Sequence, residues 1–257
     1  MNRKRILVFT LALLVVGSAS ITTYAASKST SVSNKNVVVT MNSKEDSTNV
    51  TAKGNISNEE AVKMATKAMK DYLGLDANYF GEAHVSRSNA KDDFEFFKNL
   101  YPKEDAQVLA ENAKKPTANV IDVQFIPASD LKQPGPARDL VVIDEENGEI
   151  VSITGMSNID QNFKAEIDDT KVKESILNFF SKVGKNIQSN TIKVSKTANS
   201  GVIRILCNLE DGKDAKMMIN LKDYSVMNYE VNYDNLITLP SVQKDHEENF
   251  RDLQIKQ

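Results

Sequence analysis

A hairpin frame that occurs twice constrains this chain more than any other feature. Leu140-Val141-Val142-Ile143 and Ile150-Val151-Ser152-Ile153 flank the connection Glu145-Glu146-Asn147-Gly148. β-Branched runs favour strands, and Asn and Gly accept the positive φ of a tight connection, so the stretch predicts an antiparallel hairpin. Residues 217–229 repeat the frame at one offset (220 − 144 = 76). Asn220 stands where Asp144 does, Val226 where Ile150 does and Tyr229 where Ile153 does.

The segments before each hairpin also correspond. Ser57 and Glu60 have the spacing of a capping box, in which hydroxyl and carboxylate satisfy each other's backbone N–H. Ala61, Met64, Ala65, Ala68, Met69, Tyr72 and Leu73 follow at helical spacing, and Gly74 ends the run. In the second half, Asp168 or Asp169 caps a helix with Val172, Ile176, Phe179, Phe180 and Val183 on one side, ended by Gly184. One-sided helices need a sheet to lie against. Residues 83–87 resemble 192–196 (192 − 83 = 109), and 120–126 resemble 202–208 (202 − 120 = 82), both with strand alternation. The expectation is an α+β fold of two tandem units, 56–157 and 165–233. Each would pack a helix on a four-stranded antiparallel sheet. Chance pattern matching is the alternative to a common origin. The falling offsets leave 27 extra residues (109 − 82) in the first unit, a helical insertion at 88–118. Six more (82 − 76) sit in the Pro134-Gly135-Pro136 loop.

Ile56-Ser57-Asn58-Glu59-Glu60-Ala61 opening a helix, with Val141-Val142-Ile143-Asp144 and Asn147-Gly148-Glu149-Ile150 closing on a hairpin, resembles the PepSY family. The resemblance covers most of residues 56–155 and, more loosely, 167–233, where Asp223-Tyr224 replaces Asn147-Gly148. PepSY domains occur in propeptides of secreted metallopeptidases and in bacterial envelope proteins. The resemblance implies a helix cradled by an antiparallel sheet, as in cystatin-like folds, and a binding or inhibitory role.

Arg3, Lys4 and Arg5, an apolar run to Val16 and small residues ending in Thr23-Tyr24-Ala25 have the order of a secretory signal peptide over residues 1–25. The rival is an uncleaved anchor, for which the apolar run is short. Export places the chain in the cell envelope or outside the cell, with no membrane span remaining after cleavage. Of the 32 basic residues, removing those three leaves 29 against 35 acidic, a net charge of −6. Such a chain has no electrostatic pull toward nucleic acid or anionic lipid. One cysteine, Cys207, excludes an intramolecular disulfide. Residues 26–55, rich in Ser, Thr, Asn and Lys around Val37-Val38-Val39, predict a disordered linker, and 234–257 a polar tail.

No motif for chemistry stands out. The two histidines, His84 on a predicted strand and His246 in the tail, belong to no nucleophile or base motif. Metal-ligand spacings, phosphate loops and dinucleotide fingerprints are lacking, so no cofactor, metal or catalytic residue is expected. Cys207 shares a strand face with Ile203, Ile205 and Leu209, which predicts a packed thiol. The acidic turn Asp144-Glu145-Glu146-Asn147-Glu149 lacks calcium-loop spacing and reads as solvated. Asp92-Asp93 and Glu247-Glu248 read as surface charge, and Tyr224, Tyr229 and Tyr233 as ordinary strand residues.

The insertion is the exception. Phe94, Phe96, Phe97, Leu100 and Tyr101 bunch before a predicted helix at 102–115, bounded by Pro102 and Pro116. Aromatics in a segment that the second copy lacks are the candidate partner-binding surface. The plain alternative is that they pack the extra helix onto its own sheet. The expected function is a non-catalytic binding module for an unidentified protein, a peptidase or cell-wall hydrolase. Its rivals are a hydrolase with carboxylates converging between the units and a structural envelope protein held by residues 1–25.

Overall fold

The computed structural model describes residues 37–40, 56–76, 80–88, 102–112, 119–127, 139–155, 163, 166–231 and 239–253. The protein is α+β, and among the described residues the strands form one antiparallel sheet of ten. In chain order the elements are β1 (Val37–Thr40), α1 (Asn58–Leu73), β2 (Phe80–Ser88), α2 (Lys103–Asn112), β3 (Val120–Pro127), β4 (Asp139–Asp144), β5 (Ile150–Gly155), α3 (Asp169–Val183), β6 (Lys193–Ser195), β7 (Val202–Asn208), β8 (Asp214–Asn220), β9 (Val226–Val231), α4 (Pro240–Asn249) and β10 (Phe250–Asp252). Across the sheet they run β1, β2, β3, β4, β5, β9, β8, β7, β6, β10. The two four-stranded sets expected from the sequence are therefore continuous, joined edge to edge where β5 pairs with β9.

The register of one set maps onto the other. Val85, Val123, Val141 and Ile153 are successive partners in the first set. Val194, Ile205, Met217 and Tyr229 are successive partners in the second, at the offsets found above. Ile153 and Tyr229 occupy equivalent places and pair with each other, flanked by Ser152 with Glu230 and Thr154 with Asn228. An approximate two-fold axis thus passes through the Ile153/Tyr229 pair. The hairpins agree in detail as well. Both carry a register shift, at Val142/Ile143 and at Met218/Ile219. The Asp144 N–H donates to the Glu149 carbonyl at 2.8 Å, and the Asn220 N–H to that of Ser225 at 3.0 Å. A left-handed residue closes each turn, Gly148 at φ 72° and Tyr224 at φ 57°. Tyr224 is therefore a turn residue and not the strand residue expected.

Caps set the limits of α1 and α3. The Ser57 hydroxyl accepts from the Glu60 N–H at 3.1 Å, and Asp168 accepts from Thr170 and Lys171, which settles the cap between Asp168 and Asp169. Gly74 and Gly184 end them in the left-handed conformation that glycine adopts at no steric cost. Both helices lie on one face of the sheet over a continuous core. It holds Ala65 and Met69 of α1, Ile176 and Phe180 of α3, and Phe125, Ile203, Met217 and Tyr229 of the strands. Tyr72 meets Phe179 edge-on at 6.2 Å between ring centres, which ties helix to helix.

Two further expectations require correction. Within the stretch read as a disordered linker, residues 37–40 form β1, pairing with residues 82–85 of β2. A β-branched run beside an open strand edge has ladder partners that composition alone does not reveal. The polar tail likewise builds structure: Leu239 and Phe250 are buried, and residues 239–253 supply α4 and β10, which covers the other edge by pairing with β6.

Candidate functional site

The face opposite α1 and α3, called the outer face below, is where ionisable groups collect. Alternation along the strands places Ser86, Asp122, Val142, Ser152, Glu230, Lys216, Leu206 and Lys193 in one row across it. Beneath the first half lies a small apolar patch of Val120, Leu140, Val142 and Val151. Asp122 stands beside it, only 2% exposed. Its Oδ2 accepts from the Ser88 hydroxyl at 3.2 Å, while Oδ1 makes no hydrogen bond. Burial pushes this carboxyl up to about 7, against the smaller opposing pull of the Ser88 bond. His84, on the same face of β2, stands 3.5 Å from the Glu82 carboxylate, and its Nε2 makes no hydrogen bond.

Over this face lie α2 and α4. The insertion does contain a helix, α2 at Lys103–Asn112, and it packs against α4 and not with α1 and α3. The join is Asp105, a buried carboxylate from the first turn of α2. It accepts from the Ser241 backbone N–H at 2.9 Å and from the Ser241 hydroxyl, so a side chain of α2 caps the amino end of α4. Farther along α4, Asp245 takes two hydrogen bonds from Arg204 of β7, at 2.7 and 3.5 Å. The Arg204 guanidinium also lies 4.9 Å over the Phe250 ring, and His246 meets that ring edge-on at 5.2 Å. Burial chiefly, then Lys216, Arg204 and Lys193, lower His246 to about 4, against an opposing pull from Asp245.

Phe94, Phe96, Phe97, Leu100 and Tyr101, the candidate partner-binding residues, lie outside the described residues, as do Asp92, Asp93 and Tyr233. Cys207 is packed in the core as expected, 2% exposed. Burial first, then Asp214, push its thiol up to about 12. The acidic turn is less solvated than its composition implies. Glu145 pairs with Arg87 at 2.8 Å, and Glu149 pairs with Lys185 and, at 3.6 Å, with Lys213. These last contacts bind the first hairpin to the carboxyl end of α3 and to the turn between β7 and β8. Glu247 and Glu248 are exposed, as expected. Among the described residues no group of three or more His, Cys, Asp or Glu is placed to hold a metal ion, and no helix is long and apolar enough to cross a membrane.

The outer face combines a rigid platform, one helix unique to the first half and buried charges closed to solvent. Sequence reasoning missed Asp105, Asp122, Arg204 and Asp245. The one signal available for the last pair was polar side chains at helical spacing in the supposed tail, Ser241, Asp245 and Asn249. No protein-family model matches the chain, and no curated protein matches it. Among solved structures it is similar to the Bacillus megaterium YpeB C-terminal domain, at 12% identity and a TM-score of 0.40. The match covers 71% of this chain, which spans 66% of the length of that domain.

Proposed function

We propose that this chain is a non-catalytic binding module acting outside the cytoplasm, a modulator of an extracellular peptidase or cell-wall enzyme. The location rests on the signal-peptide order of residues 1–25. The role is the one that PepSY-like domains imply. The observation that carries it is the placement of α2. Between first and second strand the second half has only a short turn at 197–201, whereas the longer connection of the first half carries α2, which docks on α4. That segment also holds the aromatic residues 94–101. An element that shares no core with the structural helices is free to serve a partner.

A short Gly/Asn loop in place of residues 89–116 tests this directly. Loop length changes closure entropy slowly, so cooperative unfolding should persist. Capture of the cognate hydrolase from culture supernatant or envelope, and any change in that hydrolase's rate, should be lost. Failure to fold would make the segment part of the structural core, with Asp105 and buried Leu109 among its contributions, and remove the binding surface. The hydrolase reading gains nothing from the outer face: Asp122 and Glu230 are both buried, and Val142 and Ser152 lie between them in the row.

A further inference from the structure

We propose that α4 is a proton-released latch: protonation of His246 lifts the helix from the outer face of the second half and uncouples it from α2. The hold on α4 is polar. It fully buries none of its own residues, whereas α1 buries five and α3 four. Its polar attachments include the Arg204–Asp245 pair, the Lys196 ammonium donating to the Glu248 carbonyl at 2.7 Å, the Lys196 N–H donating to the Asn249 carbonyl at 2.8 Å, and the Asp105 cap on Ser241, while buried Leu239 and Phe250 flank its two ends. An element with so little apolar burial opens at low free-energy cost.

A neutral His246 fits this footing and a charged one does not. Lys216 of β8, Arg204 of β7 and Lys193 of β6 all come from the outer face toward it. Of the acids nearby, Asp245 is held by Arg204, Asp105 by Ser241, and Glu230 and Asp214 lie beside Lys216 on the sheet. The Lys216 ammonium is buried without a hydrogen bond, and a proton on His246 adds a second cation to its surroundings. The proton therefore binds the released helix better than the docked one, which is the condition for a shift in population.

Docked, His246 titrates at about 4, against an ordinary 6.5. Between pH 7 and pH 5 that difference multiplies the ratio of released to docked helix by about 20. Release removes the two hydrogen bonds that Asp105 accepts from Ser241, and with them this tie of α2 to the second half.

Hydrogen exchange on the full-length chain tests the latch, with protection corrected for the intrinsic pH dependence of exchange. Protection of residues 240–249 should fall about 20-fold from pH 7 to pH 5, while α3 keeps its own. His246→Gln should abolish the difference. Lys216→Met, which removes one cation, should shrink it, and serves where the histidine variant is unstable. A proton-NMR titration of His246 near 6.5, α4 protection independent of pH, or equal loss in α3 would each overturn the proposal.

Discussion

Asp122 carries a carboxyl group into a part of the outer face that water does not reach, with only Ser88 to answer one of its oxygens. Folded, the group titrates at about 7; unfolded, at 3.8. Between these values the folded protein keeps a proton that the unfolded chain releases. Stability from this residue is thus full below pH 4 and is lost as pH rises to 7, on the order of 4 kcal/mol in all. Asp122→Asn should match wild type near pH 4 and exceed it increasingly toward pH 8 in urea midpoints. A constant difference across that range would refute the assignment. Asp122 was unreadable beforehand, because a polar residue alternating with Ile121 and Val123 has the pattern of a solvent-facing position. Its burial comes from tertiary cover, which no local period records. Tyr224 illustrates the same limit: the frame matched Gly148 at the offset of 76, yet a tyrosine at that place does not announce a left-handed turn.

Where an element is held by apolar burial, periodicity announces it. The positions named for α3 are the ones in the core, and Phe179 shows why: it touches Tyr72 of α1, Phe180, and Tyr229 of the sheet at 5.1 Å between centres. Phe179→Ala should cost about 3–5 kcal/mol in denaturant unfolding. Leu177, two residues before and 42% exposed, should cost within about 0.5 kcal/mol on the same change. Equal losses at both would mean that α3 is rotated about its axis. The elements that escaped prediction have another basis. β1 is held by pairing to a strand edge, and α4 by ion pairs and a cap from a distant helix. The valine run of β1 is too short to tell a strand from a linker, and α4 carries no apolar stripe. The candidate site fell in this class, so its helix was visible in the sequence and its seat was not.

On the scale of the molecule the two acid-sensitive groups oppose each other. As pH falls from 7 toward 4, Asp122 regains stability for the fold while His246 loses it for α4, so the sheet holds as the helix loosens. The junction of β5 with β9 is the remaining constraint, and separating the halves exposes it. Residues 165–253 expressed alone present the unpaired edge of β9, centred on the buried Tyr229. They should associate as a dimer across that edge in sedimentation, with Tyr229 facing its copy; a monomer at all concentrations would show that this edge needs its first-half partner. Joining both halves in one chain has a further result. A dimer of identical subunits must display every outgrowth twice, on opposite flanks. Here the outgrowth at 88–118 is present once, and the equivalent flank of the second half is left to α4 and its histidine.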